Sequence, residues 1–246
     1  VIGRNCQIMQ MSFINPARSI TIGDDTGIGG HSLIFGHTSW LSAFEGYEVD
    51  FDSIEIGNSV SVAWRVFVLP GTRIGDGSVV GANSLVRGVV PPRSLAVGFP
   101  ARVVASGPAF VKTLDAEAKV RLLDRILTEF VGYLSSSGLS VSAGEDGHYE
   151  VKAPSSGYGR HSGRVWRLLV RRSSDEPIAR TFDGSHVDLV LSLPTISESD
   201  RRTLVSVRTS WIDIQSKERS KSDEPFVDEV AQYLRRYGVR LLRAES

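Results

Sequence analysis

Five histidines and a single cysteine carry the side chains best suited to proton transfer or nucleophilic attack near neutral pH, and they are unevenly placed. His37 stands in the run Phe35-Gly36-His37-Thr38-Ser39-Trp40, inside a stretch from 35 to 53 that interrupts an otherwise regular pattern. Imidazole there can accept a proton, or it can merely tie a loop to its root through hydrogen bonds. His31, in Gly29-Gly30-His31-Ser32, lies one unit earlier and would line a cleft or sit exposed at a corner. Glu45, Asp50 and Asp52 are loop carboxylates that would orient His37 or simply be solvated. Trp40, Phe44, Tyr47 and Phe51 read as packing that folds the loop down. Cys6 falls at a position that favours small side chains and reads as a packing residue. Arg87 and Arg102 are candidate anion contacts, or plain exposed arginines.

The elements that must position these groups follow a period of six. Aliphatic residues stand at Ile2, Ile8, Ile14, Ile22, Ile28 and Ile34, and again at Ile56, Val62, Val68, Ile74, Val80 and Val86. Two extra residues near Pro16 and the insertion 35–53 break the count. The next residue is small in many units, as at Gly23, Gly29, Gly57, Ala63 and Gly81. Four after the anchor stands a small or β-branched residue, such as Cys6, Ser12, Thr26, Ser32, Val60, Val66, Thr72, Ser78, Ser84 or Val90. A short strand that points one aliphatic side chain inward, followed by a tight turn, accounts for both preferences. Three such units close a coil, and coils stack into a parallel β-helix of about four turns, with repeats touching only their neighbours. Ile28, Val62 and Val80 should then form one ladder, and His31, Arg65 and Asn83 should share a column. Aliphatic ladders fill the inside, so function must lie on the outer faces or in the insertion.

The run Ile56-Gly57-Asn58, continued by Val68-Leu69-Pro70-Gly71-Thr72-Arg73-Ile74-Gly75-Asp76-Gly77-Ser78-Val79-Val80-Gly81-Ala82-Asn83-Ser84-Leu85-Val86, resembles the hexapeptide-repeat acyltransferases with a left-handed β-helix. Val90-Pro91-Pro92-Arg93-Ser94-Leu95-Ala96-Val97-Gly98-Phe99-Pro100-Ala101-Arg102-Val103-Val104 is similar to the segment that closes the helix in that family. The likeness covers about residues 1–105. It departs at Gly88-Val89, where members commonly carry an acidic residue, and at the start, which falls inside a coil without the N-terminal cap of members. The resemblance implies a fold, an acetyl-CoA co-substrate and a homotrimer with sites between subunits. It also implies that His37 is the general base, taking the proton of an acceptor hydroxyl as its oxygen attacks the thioester. Ala63, Trp64 and Ala82 would flank the pantetheine arm, and Arg87 and Arg102 would meet coenzyme phosphates. His31, Trp40 and Glu45 would contact a sugar or glycan acceptor.

After Val104 the period of six stops, dividing the chain at 105/106. Val120, Leu123, Leu127, Phe130 and Leu134 recur at helical spacing and predict a helix from Asp115 to Ser135. Residues 136–163 read as Ser- and Gly-rich loop with a short strand near Tyr149 to Lys152. Strands are expected at Val165–Val170, Val187–Leu193 and Thr203–Ile214, then a helix from Pro225 to before Gly238 and a strand at Val239–Leu242. That is an α+β module of about 140 residues following the repeat. Its histidines, His148, His161 and His186, read as solvated loop residues. Arg160, Arg164, Arg167, Arg171 and Arg172 read as a charged strand face, with an anionic glycan or coenzyme phosphate as the alternative.

Composition narrows the classes. Lys plus Arg equals Asp plus Glu, 28 against 28, which argues against a general nucleic-acid binder. No apolar run approaches the roughly 18 residues of a membrane helix, so the chain reads as soluble and cytoplasmic with no membrane span. No metal is expected. The alternatives are a zinc lyase of the γ-class carbonic-anhydrase type, whose fold is shared but which needs three histidines where this repeat has His31 and His37, and a catalytically silent scaffold whose C-terminal module binds a partner.

Overall fold

The computed structural model describes residues 1–144, 147–156, 162–174, 178 and 186–244. It divides into two compact units, Val1–Thr113 and Leu114–Ser246.

In the first unit the chain passes through three sheets in turn. One holds Gln7–Ile8, Gly27–Ile28, Ser61–Val62, Val79–Val80 and Ser94–Gly98 in parallel, closed by the antiparallel strand Ala101–Ser106. A second holds Phe13–Asn15, Leu33–Phe35, Phe67–Val68 and Leu85–Val86, and a third holds Ile20–Ile22, Ile54–Ile56, Arg73–Ile74 and Val89–Val90. The register is the one the repeat requires: Ile22 pairs with Ile56 and Ile56 with Ile74, Ile28 with Val62 and Val62 with Val80, Ile34 with Val68 and Val68 with Val86. All nine are buried in one cluster. Each removes about 1.5–3 kcal/mol worth of apolar surface from water relative to exposure.

The preference for small hydroxyl residues has a polar cause. Thr26 Oγ1 donates to the Gly57 carbonyl at 2.8 Å, Ser32 Oγ to Ala63 at 3.2 Å and Ser78 Oγ to Pro91 at 2.7 Å, so each buried hydroxyl satisfies a carbonyl of the next coil. Cys6 follows suit, with Sγ 3.0 Å from the Gly23 carbonyl. Bulk is excluded beside the anchors: a Cβ on Gly23 would come within 2.7 Å of the Gly57 carbonyl carbon. Val90 departs from expectation. It is a ladder residue paired with Ile74, because the turn through Gly88, at φ 83°, spends two fewer residues than its predecessors.

One exposed corner carries a polar ladder. The Arg4 N–H donates to Asp24 Oδ1 at 2.6 Å, the Asp24 N–H to Asn58 Oδ1 at 2.8 Å and the Asn58 N–H to Asp76 Oδ1 at 2.7 Å. The Arg4 backbone donor, helped by its guanidinium, holds the Asp24 carboxyl below the usual carboxylate range.

The second unit is a seven-stranded mixed sheet ordered Ser140–Ala143, His148–Lys152, Val165–Arg171, Leu189–Ser192, Ser210–Asp213, Glu218–Arg219, Leu242–Arg243. The three central strands are parallel. Helices α1 (Ala116–Ser136) and α3 (Pro225–Arg235) bury Leu123, Leu127, Phe130, Val227 and Val230 with Leu168, Leu189, Leu191 and Ile212. Leu169, Val190 and Trp211, the alternate residues of the same strands, pack with Leu204 of α2 (Glu198–Ser206). Burial on both faces explains why these strands read as unbroken apolar runs.

Several expectations fail here, among them the last strand, which is Leu242–Arg243 and not Val239–Leu242. Thr203–Ile214 is not one strand: residues through Ser206 belong to α2, capped by Ser197 Oγ on the Asp200 N–H, and only Ser210–Asp213 is extended. A helix burying Leu204 alone leaves no readable period. Ser140–Ala143 is a strand where loop was expected, since a half-exposed edge strand tolerates serine. His148 lies in a strand rather than a loop, while His161 and Arg160 lie outside the described residues. Arg164 pairs with Glu224, Arg167 with Glu150 and Arg172 with Asp124, so these members of the basic run are neutralised within the unit. No helix among the described residues is long and apolar enough to cross a membrane.

Candidate active site

The insertion leaves the coil as a two-legged ribbon. His37 bridges Phe51 in antiparallel sense, the Thr38 N–H donates to the Asp50 carbonyl at 3.0 Å, and the Asp52 N–H donates to the Gly36 carbonyl at 3.3 Å. A short 3-10 turn, Ala43–Glu45, forms part of the outer loop and ends at Gly46, whose φ of 89° suits glycine. The ribbon returns the chain to the coil at Ile54, opposite Ile20.

His37 sits at the root, half-buried between two phenyl rings. Phe51 stacks on it at 5.8 Å between centroids, and Phe35 meets it edge-on at 6.2 Å. Its Nε2 lies 3.0 Å from the Asn15 side-chain amide. Its Nδ1 accepts from the Ser39 N–H at 3.3 Å and lies 3.2 Å from Ser39 Oγ. Sequence reasoning passed over Asn15 and Ser39. Asn15 was within reach of the stacking arithmetic, because Ile14 pairs with Ile34 and so Asn15 lies beside Phe35, two residues from His37.

The loop carboxylates have other tasks. Asp50 Oδ2 is 3.3 Å from Arg87, and Asp52 Oδ1 accepts from the Ser53 N–H at 2.7 Å. Neither hydrogen-bonds the imidazole, and Glu45 is exposed on the 3-10 turn. Of the two readings of these carboxylates the orienting one is not met, and a side-chain amide, a backbone N–H and a hydroxyl meet the imidazole instead. Arg87 is an ion-paired tether between loop and coil. The aromatic residues also depart from expectation: Trp40 is 94% exposed and Phe44 fully so, and Leu41 and Tyr47 remain half-exposed. They do not fold the loop down; of the four aromatics Trp40, Phe44, Tyr47 and Phe51, Phe51 packs against His37.

His31 occupies a left-handed corner at φ 57°, as do Arg65 and Asn83 in the same column. Its ring lies 6.0 Å from Trp64, whose indole covers Gly30 so closely that a Cβ there would be 2.7 Å from Cζ3. Ala63 and Ala82 lie at turns on the same wall, one after Val62 and one near Val80. Arg102, on the closing strand, donates to the Ala101 carbonyl and forms no ion pair among the described residues. In the second unit, a groove of about 830 Å³ is lined in part by Arg164, His186, Asp188 and Ser210, with His186 Nε2 3.4 Å from Asp188. No group of three metal-ligating side chains is found among the described residues.

No family model matches the chain. It is 35% identical over 111 residues to a putative lipopolysaccharide-biosynthesis O-acetyl transferase of Escherichia coli, covering 41% of this chain and 57% of that one. It is 35% identical over 105 residues to the galactoside O-acetyltransferase of the same organism, covering 42% and 52%. Among solved structures, a hexapeptide-repeat acetyltransferase of Vibrio cholerae aligns at 33% identity and a TM-score of 0.40, over 43% of this chain and 61% of that one. The chain spans about half the length of the two curated relatives. By sequence, part of this chain is therefore similar to O-acetyltransferases.

Proposed function

We propose that the repeat unit is a left-handed β-helix of about four coils that transfers an acetyl group from acetyl-CoA to a hydroxyl of a sugar or polysaccharide precursor, with His37 as general base. The observation that carries this reading is the imidazole held at the root of a loop on the coil wall, hydrogen-bonded at both nitrogens and packed between Phe35 and Phe51. Positioning of this kind is what a proton acceptor needs, because misplacement by an ångström costs rate. The 35% identity of part of the chain to a putative lipopolysaccharide-biosynthesis O-acetyl transferase and to a galactoside O-acetyltransferase supports the acceptor class.

In this reading the wall bearing Ala63, Trp64 and Ala82 takes the pantetheine arm. Arg102, without an ion-pair partner among the described residues, takes a coenzyme phosphate, whereas Arg87 contributes only by exchanging Asp50. His31, Trp40 and Glu45 face the acceptor. The exposure of Trp40, Leu41 and Phe44 supports assembly into a homotrimer whose sites lie between copies.

The test is mass spectrometry of the protein incubated with acetyl-CoA and a panel of sugar nucleotides and oligosaccharides. A product heavier by one acetyl group, lost in His37→Ala, is expected. Acetylation that proceeds unchanged in that variant removes the general-base role.

A further inference from the structure

Both ring nitrogens of His37 face N–H donors: the Asn15 amide at Nε2 and the Ser39 backbone at Nδ1. Neutral imidazole has one lone pair in its plane available to accept and one N–H to donate, so both donors cannot be served. The Ser39 N–H is fixed by the chain and cannot be inverted. The Asn15 amide can rotate by half a turn and present Oδ1 instead of Nδ2. The consistent network therefore has the lone pair at Nδ1, the proton on Nε2, and Asn15 Oδ1 accepting that proton. Asp50 and Asp52, the charged groups on the facing leg of the ribbon, are engaged with Arg87 and the Ser53 N–H.

The basic atom is then Nδ1, whose single lone pair is shared as a bifurcated acceptor between the Ser39 N–H at 3.3 Å and the Ser39 hydroxyl, whose Oγ stands at 3.2 Å. Resting on the proposed base role of His37, we infer that Ser39 relays the proton: the acceptor hydroxyl gives its proton to Ser39 Oγ while the Ser39 hydroxyl proton passes to Nδ1. The acceptor oxygen forms its bond to the thioester carbonyl carbon, and the C–S bond breaks to release coenzyme A thiolate. The imidazolium, protonated at both nitrogens and held by Asn15 Oδ1, returns one proton through Ser39 to the sulfur. The hydroxyl ends as it began, so no acyl-serine forms.

The tautomer is read without any substrate, from ¹⁵N shifts of His37 in the full chain above its titration. A pyridine-like Nδ1 and a protonated Nε2 are expected; a protonated Nδ1 overturns the inference. Turnover is then compared in Ser39→Ala, Ser39→Thr and His37→Ala, using acetyl-CoA and whichever sugar of the panel the parent acetylates. Ser39→Ala keeps the backbone N–H that sets the tautomer but lacks the relay. It should lower kcat by about 30-fold or more, with acetyl-CoA KM and thermal midpoint little changed, and Ser39→Thr should restore most of the rate. Parental kcat in Ser39→Ala beside an inactive His37→Ala overturns the relay and leaves the base standing. Parental kcat in both removes the base as well. A slow Ser39→Ala that threonine does not rescue assigns Ser39 to turn geometry and also overturns the relay.

Discussion

Ile34 and Trp40 lie six residues apart and have opposite environments. Ile34 is sealed between Ile14 and Val68 inside the coil, while the Trp40 indole stands almost wholly in water. The same contrast holds for the ladder residues from Ile22 to Val86, which are buried by the coils above and below where the loop aromatics are not, although Ile2 and Ile8 are exposed. A coil wall supplies its own partner every turn through its repeat. An outward insertion has no repeat to close on, so its apolar side chains depend on something beyond their own ribbon. Phe35 and Phe51, on the two legs beside His37, gain ring partners within the unit. The loop is rigid at its root, where the imidazole is held, and open beyond it.

The contrast is broken most severely from the ladder side. Val62→Asp places an unpaired carboxylate between Ile28 and Val80, and the repeat unit should lose its cooperative thermal transition. A transition near that of the parent would refute the inward register.

At the root of the loop, on the proposed base role, His37→Ala should cut turnover by about 100-fold or more, with only a small drop in melting temperature from the Asn15, Ser39 and Phe51 contacts it gives up. Arg102→Ala should raise the acetyl-CoA KM by about tenfold with a smaller change in kcat, as expected for one charge-assisted phosphate contact. Equal effects on kcat for both variants would contradict the division of roles.

Asn58→Asp probes the corner ladder. It looks harmless as an exposed turn substitution, but Asn58 donates to Asp76 and accepts from the Asp24 backbone, so a carboxylate there stands in a column of carboxylates. The variant should melt below the parent at pH 7, and the gap should close as pH falls through the ordinary aspartate range near about 3.9. The parent carries the opposite dependence at Asp24: its carboxyl is depressed, so its stabilising contribution is present at neutral pH and is lost as acid protonates it. A gap that widens in acid would be inconsistent with the ladder.

The smallest stability effect belongs to the loop tip. Trp40→Ser and Phe44→Ser should leave the melting point of the isolated chain unchanged, because neither ring is buried within it. Sedimentation at micromolar concentration should show about three times the chain mass for the parent and a smaller species for the double variant. A parent that sediments as one chain and still transfers acetyl groups would end the trimer reading.

How much was legible differs between the units for a physical reason. In the coils each strand pairs with the residues one turn away, so a period of six is itself a list of contacts, and Ile28 could be set against Val62 and Val80 by counting. In the second unit, Leu189 pairs with Leu168 and Ser210, partners that no local spacing announces. There α1 and α3 are readable from their apolar stripes, but the end of α2, residues 203–206, reads as strand because Leu204 alone is buried in that helix. At the site, His37 stood out as a histidine in an interruption. Its surroundings did not, because a polar contact depends on side-chain direction as well as on position.

The sequence alone determined the ladder register, the place where the repeat yields to an outward loop, and the histidine at that loop's root. These rest on a strict period and on glycines that tolerate no Cβ. Only the tertiary structure decided that Asn15 and Ser39, rather than Asp50 or Asp52, hold the imidazole, and that Arg87 ties down the loop instead of standing free. It also decided that the loop aromatics face water. Each of these depends on where two side chains from separate turns of the chain meet in space, and a one-dimensional period carries that information only for residues that point into the core.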